Sequence, residues 1–428
     1  MSISELFLSK IEIKSFLNEF ARNRDYMYGY DGEEFGICPY ITFYIFNSEE
    51  DVILIANRIL SICEDLENKI IDKELNLYYE NKNSHWRKVE KNEVDIKGLI
   101  HDAKKSLKLD LFYFLGATSA ESNYQSARWA YSAMLSQASA YSYLKITFSN
   151  KWYEKNKVEW QNFIKICLKE LNPIQAYSGY EIGNSSQLSS ISPEFETAEK
   201  IFADYFYGLD IDHPASMAFH SHYDEDDFEY LPVLGAGIRT PTWCFLLSPY
   251  WIDKLGLSEE QIRLKLNDPR IEITKLSDPT DSEKFSLWIR LGELSLYPVE
   301  EGVPDLLVMA NELIKPIRCN ELKLTTLDAW EDDPNPRFDI ENSPKWIARF
   351  DADSDWPEGK RVKKTQTGVS DNNAIKVLGG ETCPQTGEWY SPANNMEKRY
   401  FEQGEIMPQI ENNSWGETIW YLKVTNKK

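Results

Sequence analysis

The stretch FHSHYDEDDFEY, Phe219 to Tyr230, sets His220 and His222 one residue apart and follows them with four consecutive carboxylates, Asp224 to Asp227. Imidazole nitrogens and carboxylate oxygens are the donors of zinc, iron and manganese centres. On a strand, two histidines at this spacing share a face, because side chains alternate with period two. His213, His220, His222 and Asp224 are therefore the best metal candidates in the chain. Cupin-like sites use such a pair, but they add a glutamate and a distant histidine in a glycine-patterned barrel. That pattern is absent, and beyond His213 the nearest other histidine is His101. The acidic run also lacks the alternating spacing and glycine of an EF-hand calcium loop. A solvated loop is the stronger reading, and no metal ligand is assigned.

Other motifs offer less chemistry. GAGIRTP (Gly235–Pro241) begins like a dinucleotide fingerprint but lacks its third glycine, and a strand pattern follows where a helix should start. Its glycines more simply permit a tight turn or close backbone packing. In CPQTGEW, Cys383 has no basic neighbour in sequence to lower its pKa. No GxSxG, HExxH or P-loop pattern occurs, so serine, metalloprotease and phosphoryl chemistry have no starting point.

The chain must position these residues within 428 positions, which suggests more than one core. With 42% hydrophobic and 13% aromatic residues it is a folded, not a disordered, sequence. A formal net charge of −22 repels nucleic acid and anionic membranes and attracts a basic protein. The six cysteines are scattered, form no CxxC pair and mostly sit in apolar surroundings, as expected of reduced core thiols. The N-terminus has charges breaking its apolar positions, unlike a signal peptide, and no apolar run reaches the length of a membrane span. The expectation is a soluble, cytoplasmic protein without cofactor.

Strand and helix periods alternate along the chain. GICPYITFYIF (Gly36–Phe46) reads as a strand, VILIANRILSICEDLENKI as a helix and LNLYYE as a strand. The order recurs in YLKITFSN, KVEWQNFIKICLKEL and IQAYSGYEIG, with apolar helix positions at Trp160, Phe163, Ile164, Cys167, Leu168 and Leu171. Ser258 and Gln261 have the spacing of a capping box. Beyond residue 325 the composition turns acidic and Pro-rich, then aromatic and turn-rich. The expected fold is α+β: a main α/β domain over 1–325, built from two strand-helix-strand half-units (30–110 and 111–325), a linker over 326–345, and a small β-rich C-terminal domain over 346–428.

Charge is the most informative remaining feature. Eleven acidic residues lie between Glu194 and Glu229, and only Lys200 opposes them in sequence. A second acidic region, Asp328–Glu358, holds ten against Arg337, Lys345 and Arg349. Aromatics interleave with both, a composition found in protein-binding hot spots.

Several of these segments together resemble the type VI secretion immunity protein family, bacterial proteins that protect a cell from injected toxic effectors. The resemblance runs through GICPYITFYIF and its helix, FYGLDID, GIRTPTWCFLLSPYWIDKLG and RLGELSLYPVEEGVPDLLVMANELIKPIR, roughly residues 35–320. Where the family usually has a Lys-Gly turn, this chain has Arg239 and Thr240. The C-terminal segment, with CPQTGEW and RYFEQGEIMP, is similar to a tail on other polymorphic-toxin immunity proteins. The resemblance implies a non-enzymatic inhibitor whose partner is a cognate toxin effector, basic and often a nuclease, and no nucleic acid or membrane. The partner-binding residues expected on that basis are Tyr223, Asp224, Glu225, Asp226, Asp227, Phe228, Glu229 and Tyr230. The alternatives are a metal-dependent enzyme using His213, His220 and His222, or an acidic adaptor.

Overall fold

A computed structural model describes residues 10–30, 33–46, 52–69, 75–80, 86–89, 112–122, 125–136, 141–183, 193–214, 219–221, 230–232, 237–278, 281, 283–320, 324, 336–339, 341–359, 361, 375–394, 398–410 and 418–422. The fold is α+β. Among the described residues thirteen strands precede the C-terminal region: β1 Met27–Tyr30, β2 Glu33–Phe46, β3 Leu77–Glu80, β4 Arg87–Lys88, β5 Phe112–Thr118, β6 Ala130–Ser136, β7 Tyr141–Thr147, β8 Gln175–Gly183, β9 Phe219–Ser221, β10 Tyr230–Pro232, β11 Cys244–Leu247, β12 Ile271–Ser277 and β13 Phe285–Leu291. Eleven of them form one sheet in the order β12-β13-β11-β8-β2-β7-β6-β5-β3-β4, with β1 folded back on β2.

β2 is the organising strand. It pairs antiparallel with β7 along Tyr40–Phe46 and with β8 along Gly36–Tyr44. Ile41, Phe43 and Ile45 share a core with the helices Val52–Lys69 and Lys157–Leu171. Tyr40, Thr42 and Tyr44 point the other way and are equally buried. A strand covered on both faces belongs at a sheet centre. β7, the helix Lys157–Leu171 and β8 form a split β-α-β unit, and β2 fills the split.

The helix Lys157–Leu171 buries Trp160, Ile164, Cys167, Leu168 and Leu171, as its spacing predicts, and ends on Asn172 in the left-handed region at φ 43°. The capping box of Ser258 and Gln261 is formed. All six cysteines are buried and free.

The hydrophobic cores divide later in the chain than composition suggested. Trp346, Phe350 and Trp356 pack in the same core as Tyr207, Phe245 and Trp251. A separate four-stranded sheet follows: β14 Lys376–Leu378, β15 Gly387–Tyr390, β16 Lys398–Phe401 and β17 Ile419–Leu422, in the order β14-β17-β15-β16. Its own core holds Val377, Cys383, Trp389, Phe401, Met407, Trp420 and Leu422. No described helix is long and apolar enough to cross a membrane.

Candidate partner-binding site and its buried anchor

β9 and β10 pair antiparallel, with Tyr230 opposite Ser221 and Leu231 opposite His220. The chain between them is the acidic stretch. Tyr223, Asp224, Glu225, Asp226, Asp227, Phe228 and Glu229 lie outside the described residues, as does His222. Tyr230 opens β10.

What the structure defines is how the chain enters and leaves this region. The entering segment, FYGLDID, runs between β8 and the 295–297 turn. Gly208 N donates to Leu296 O at 2.8 Å, and Asp210 N to Tyr180 O at 2.7 Å. A Cβ on Gly208 would lie 1.9 Å from Ser295 O, so only glycine permits this approach. The leaving segment, Gly237–Arg239, is held by Ile238, whose backbone exchanges hydrogen bonds with Ile317 and Cys319. A Cβ on Gly237 would meet Cys319 N at 2.5 Å. The close-packing role read for the glycines of GAGIRTP is therefore met at Gly237.

Arg239 joins the two segments. Its Nη1 donates to Asp212 Oδ1 and its Nη2 to Asp210 Oδ2, each at 2.6 Å. The guanidinium lies over the Tyr177 ring, 4.6 Å from its centroid, and Arg239 N donates to Tyr177 Oη at 2.9 Å. From β2, Tyr40 Oη donates to Asp210, and Thr42 Oγ1 and Tyr44 Oη donate to Asp212. Lys145 Nζ on β7 donates to Glu181 Oε2 and to Asp212 O, both at 2.5 Å. The outward face of β2, polar in a buried strand, is polar because it serves these carboxylates.

The electrostatics follow from burial. Desolvation opposes ionisation of Asp212, but Arg239, then Lys145 and the hydroxyls of Thr42 and Tyr44 outweigh it and hold the carboxyl below its ordinary range. Burial instead dominates at Glu181, with Asp212 and Glu199 adding to it against the pull of Lys145, and pushes it up to about 8.

Several charges read as surface are thereby placed inside. Glu196, Glu199, Asp210 and Asp212 are all buried. Glu199 Oε2 is 2.7 Å from His213 Nε2, and Glu196 lies 3.7 Å from Arg337. Lys200 is thus not the sole opposing charge: Arg239 and Arg337 arrive from far along the chain. In the second acidic region Asp351 pairs with Arg318 at 2.8 Å and Lys315 at 3.1 Å. The aromatics Phe206, Tyr207, Trp346 and Trp356 are buried. The signal available for this cluster was the Asp210-x-Asp212 spacing, which puts two carboxylates on one face of an extended segment, together with an arginine amid apolar residues.

Among the described residues no cluster of histidine, cysteine and carboxylate groups is arranged to hold a metal ion. His213 directs Nε2 to Glu199, so that nitrogen is already engaged.

Three of the motifs that carried the family resemblance, GICPYITFYIF, FYGLDID and GIRTPTW, therefore meet in one buried ion network. None of the curated proteins matches the sequence. A T6SS protein of Pseudomonas aeruginosa has a similar fold, with a TM-score of 0.61 and 16% identity over 81% of this chain and 93% of the other. The model of the TsiV family, described as type VI immunity for VRR-NUC, matches residues 60–350. That match spans more than half of the chain and includes Asp210, Asp212 and Arg239, so the protein belongs to the TsiV family of type VI immunity proteins.

Proposed function

We propose that this immunity protein binds a cognate nuclease toxin of the VRR-NUC type and occludes its active site or substrate groove with an acidic surface that includes Tyr223–Tyr230. The observation that carries the reading is the placement of the acidic stretch between two chain segments locked together by Arg239. A loop with a fixed base loses less freedom on binding than one with a free base. A nuclease must present lysines and arginines to phosphates. Carboxylates at Asp224, Glu225, Asp226, Asp227 and Glu229 would take the place of those phosphates, and Tyr223, Phe228 and Tyr230 would supply buried contact. The chain acts as a stoichiometric binder in the cytoplasm, where such a toxin meets its DNA, with no reaction and no cofactor of its own. Its −22 charge keeps it off the nucleic acid and off anionic membranes.

Copurification from the native host with mass spectrometry tests this. The expected result is one basic nuclease effector at a fixed stoichiometry. Recovery of a toxin with a membrane or cell-wall target would replace the nuclease part of the reading, and absence of any toxin from the host's secretion loci would remove it.

A further inference from the structure

We propose that the C-terminal sheet is a positioning module for the partner-binding stretch: it seats on Asp268, Arg270 and Asp305, and through the neighbouring turn at Ser295–Tyr297 it steadies the chain that enters that stretch. The steadying needs no partner. That it serves a toxin rests on the reading above.

The seat is built by strand alternation. Trp420 and Leu422 of β17 turn into the sheet's own core, so Tyr421 between them lies on the other face. Lys376 of β14 and Tyr390 of β15 stand directly opposite it on the neighbouring strands. The Tyr390 and Tyr421 rings stack with centroids 5.6 Å apart, and Lys376 Nζ lies 5.6 Å from the Tyr421 centroid. This row meets charges of the main unit. Lys376 Nζ is 3.5 Å from Asp268 Oδ2, and Asp268 is buried. Arg270 forks to Asp268 at 2.8 Å and to Asp305 at 2.7 Å. Burial first, then Asp305 and Asp268 against the pull of Arg270, pushes the Tyr421 phenol up to about 12, as expected of a ring set against this trio.

Tyr297 stands between the seat and the entering segment. Its phenol is pushed above its ordinary range by burial first, then by Asp305, Glu301 and Tyr421, so it feels both the main-unit carboxylates and the C-terminal sheet. Its backbone oxygen accepts from Tyr207 N at 3.0 Å, and Leu296 O accepts from Gly208 N at 2.8 Å. Tyr297 itself has φ 48°, in the left-handed region where a bulky residue is strained. Such strain persists only where the surroundings over-determine the conformation. Tyr297 is 8% exposed with the sheet in place. Lifting the sheet from its seat withdraws Tyr421 and lets the turn relax. The two carbonyls that hold Tyr207 and Gly208 then shift, immediately ahead of the aspartates that Arg239 grips.

Hydrogen exchange on the full chain tests this at the Tyr207 and Gly208 amides, with the helix Lys157–Leu171 as internal reference. Lys376→Glu sets a carboxylate against Asp268 and should speed exchange at both amides about tenfold while the reference stays unchanged. Lys376→Arg keeps the cation and should exchange like wild type. Unchanged rates in Lys376→Glu overturn the proposal, as does equal acceleration in Lys376→Arg or in the reference helix. With the cognate toxin, Lys376→Glu should bind about tenfold more weakly, because a loosened entry must be ordered on binding. If wild type binds the toxin and Lys376→Glu binds it equally well, the sheet does not serve the partner site, and the proposal fails while the immunity reading stands. If wild type binds no toxin, that reading fails, and exchange alone decides whether the sheet steadies the turn.

Discussion

Arg239 Nη1 donates to Asp212 Oδ1 at 2.6 Å across 27 residues of chain, and those residues contain the entire acidic stretch. The pair is fully buried, with side chains 4% and 0% exposed. Buried ion pairs are weak contributors to stability when compared with apolar packing, because both charges lose their hydration. Their consequence is specificity of arrangement. Only one register of the entering and leaving segments lets a guanidinium meet two carboxylates that tyrosines and a threonine already orient.

Replacing Arg239 by Ala should therefore cost much more than its own contacts. It strands Asp210 and Asp212 in the core, and breaking a buried pair this way costs about 3–5 kcal/mol. Arg239→Lys should also destabilise, since one ammonium cannot fork to two carboxylates. Urea unfolding of the three proteins measures this, and a loss under about 1 kcal/mol for Arg239→Ala would show that the cluster is dispensable.

Glu181 should make stability fall as pH rises. Its carboxyl keeps a proton in the folded protein up to about pH 8, while the unfolded chain ionises it near 4.5. The contribution is fully present below the unfolded value and is lost as pH climbs through the folded one. Asp212 has the opposite sign: its lowered pKa adds stability above the ordinary carboxylate range that disappears as pH falls. Glu181→Gln cannot ionise, and its amide oxygen can still accept from Lys145. Its stability relative to wild type should grow by at least ~1 kcal/mol between about pH 5 and pH 8. A pH-independent difference in denaturant midpoints would contradict this assignment.

Neutralising Asp224, Glu225, Asp226 and Asp227 to Asn or Gln should slow association with the toxin and flatten its salt dependence. Charges at an interface rim act through long-range attraction, which salt screens over a Debye length of about 3 Å at 1 M. If these carboxylates are buried on binding, dissociation accelerates as well, because partner cations lose their pairs at roughly 2–5 kcal/mol each. Surface-based kinetics at several salt concentrations separates the cases. Rates unchanged at every concentration would take the stretch out of the interface.

Truncation should locate the end of the main unit. We propose that it lies between Arg361 and Ile375, so a chain ending at residue 361 should fold and one ending at residue 325 should not. The shorter chain loses Trp346, Phe350 and Trp356 from the large core. Losing even one such aromatic costs about 3–5 kcal/mol. Limited proteolysis of the full chain should then cut first within Val362–Asn373. Equal cooperativity of the two truncations in thermal melts would return the boundary to residue 325.

The sequence by itself determined the local elements. The apolar spacing of Lys157–Leu171, the β-branched and aromatic run of Gly36–Phe46, and the Ser258–Gln261 capping box each became the expected element, because these signals act within a few residues. The burial of most of the six cysteines was legible for the same reason, from their apolar neighbours. The motifs also sufficed for the family. Composition placed a boundary at the acidic, Pro-rich segment near residue 330, yet the aromatics beyond it belong to the large core, since packing depends on shape and not on local polarity. Which carboxylates enter the core was not read from the sequence either, although the Asp210-x-Asp212 spacing hinted at it. Asp210, Asp212 and Glu196 belong to one acidic run, and what lets them leave solvent is a partner far away in sequence: Arg239 for the aspartates and Arg337, 141 positions on, for Glu196. A charge enters a core only where an opposite charge and hydrogen-bond donors meet it, and that meeting is decided by the strand order that brings β2, β7, β8 and the chain at Gly237–Arg239 together.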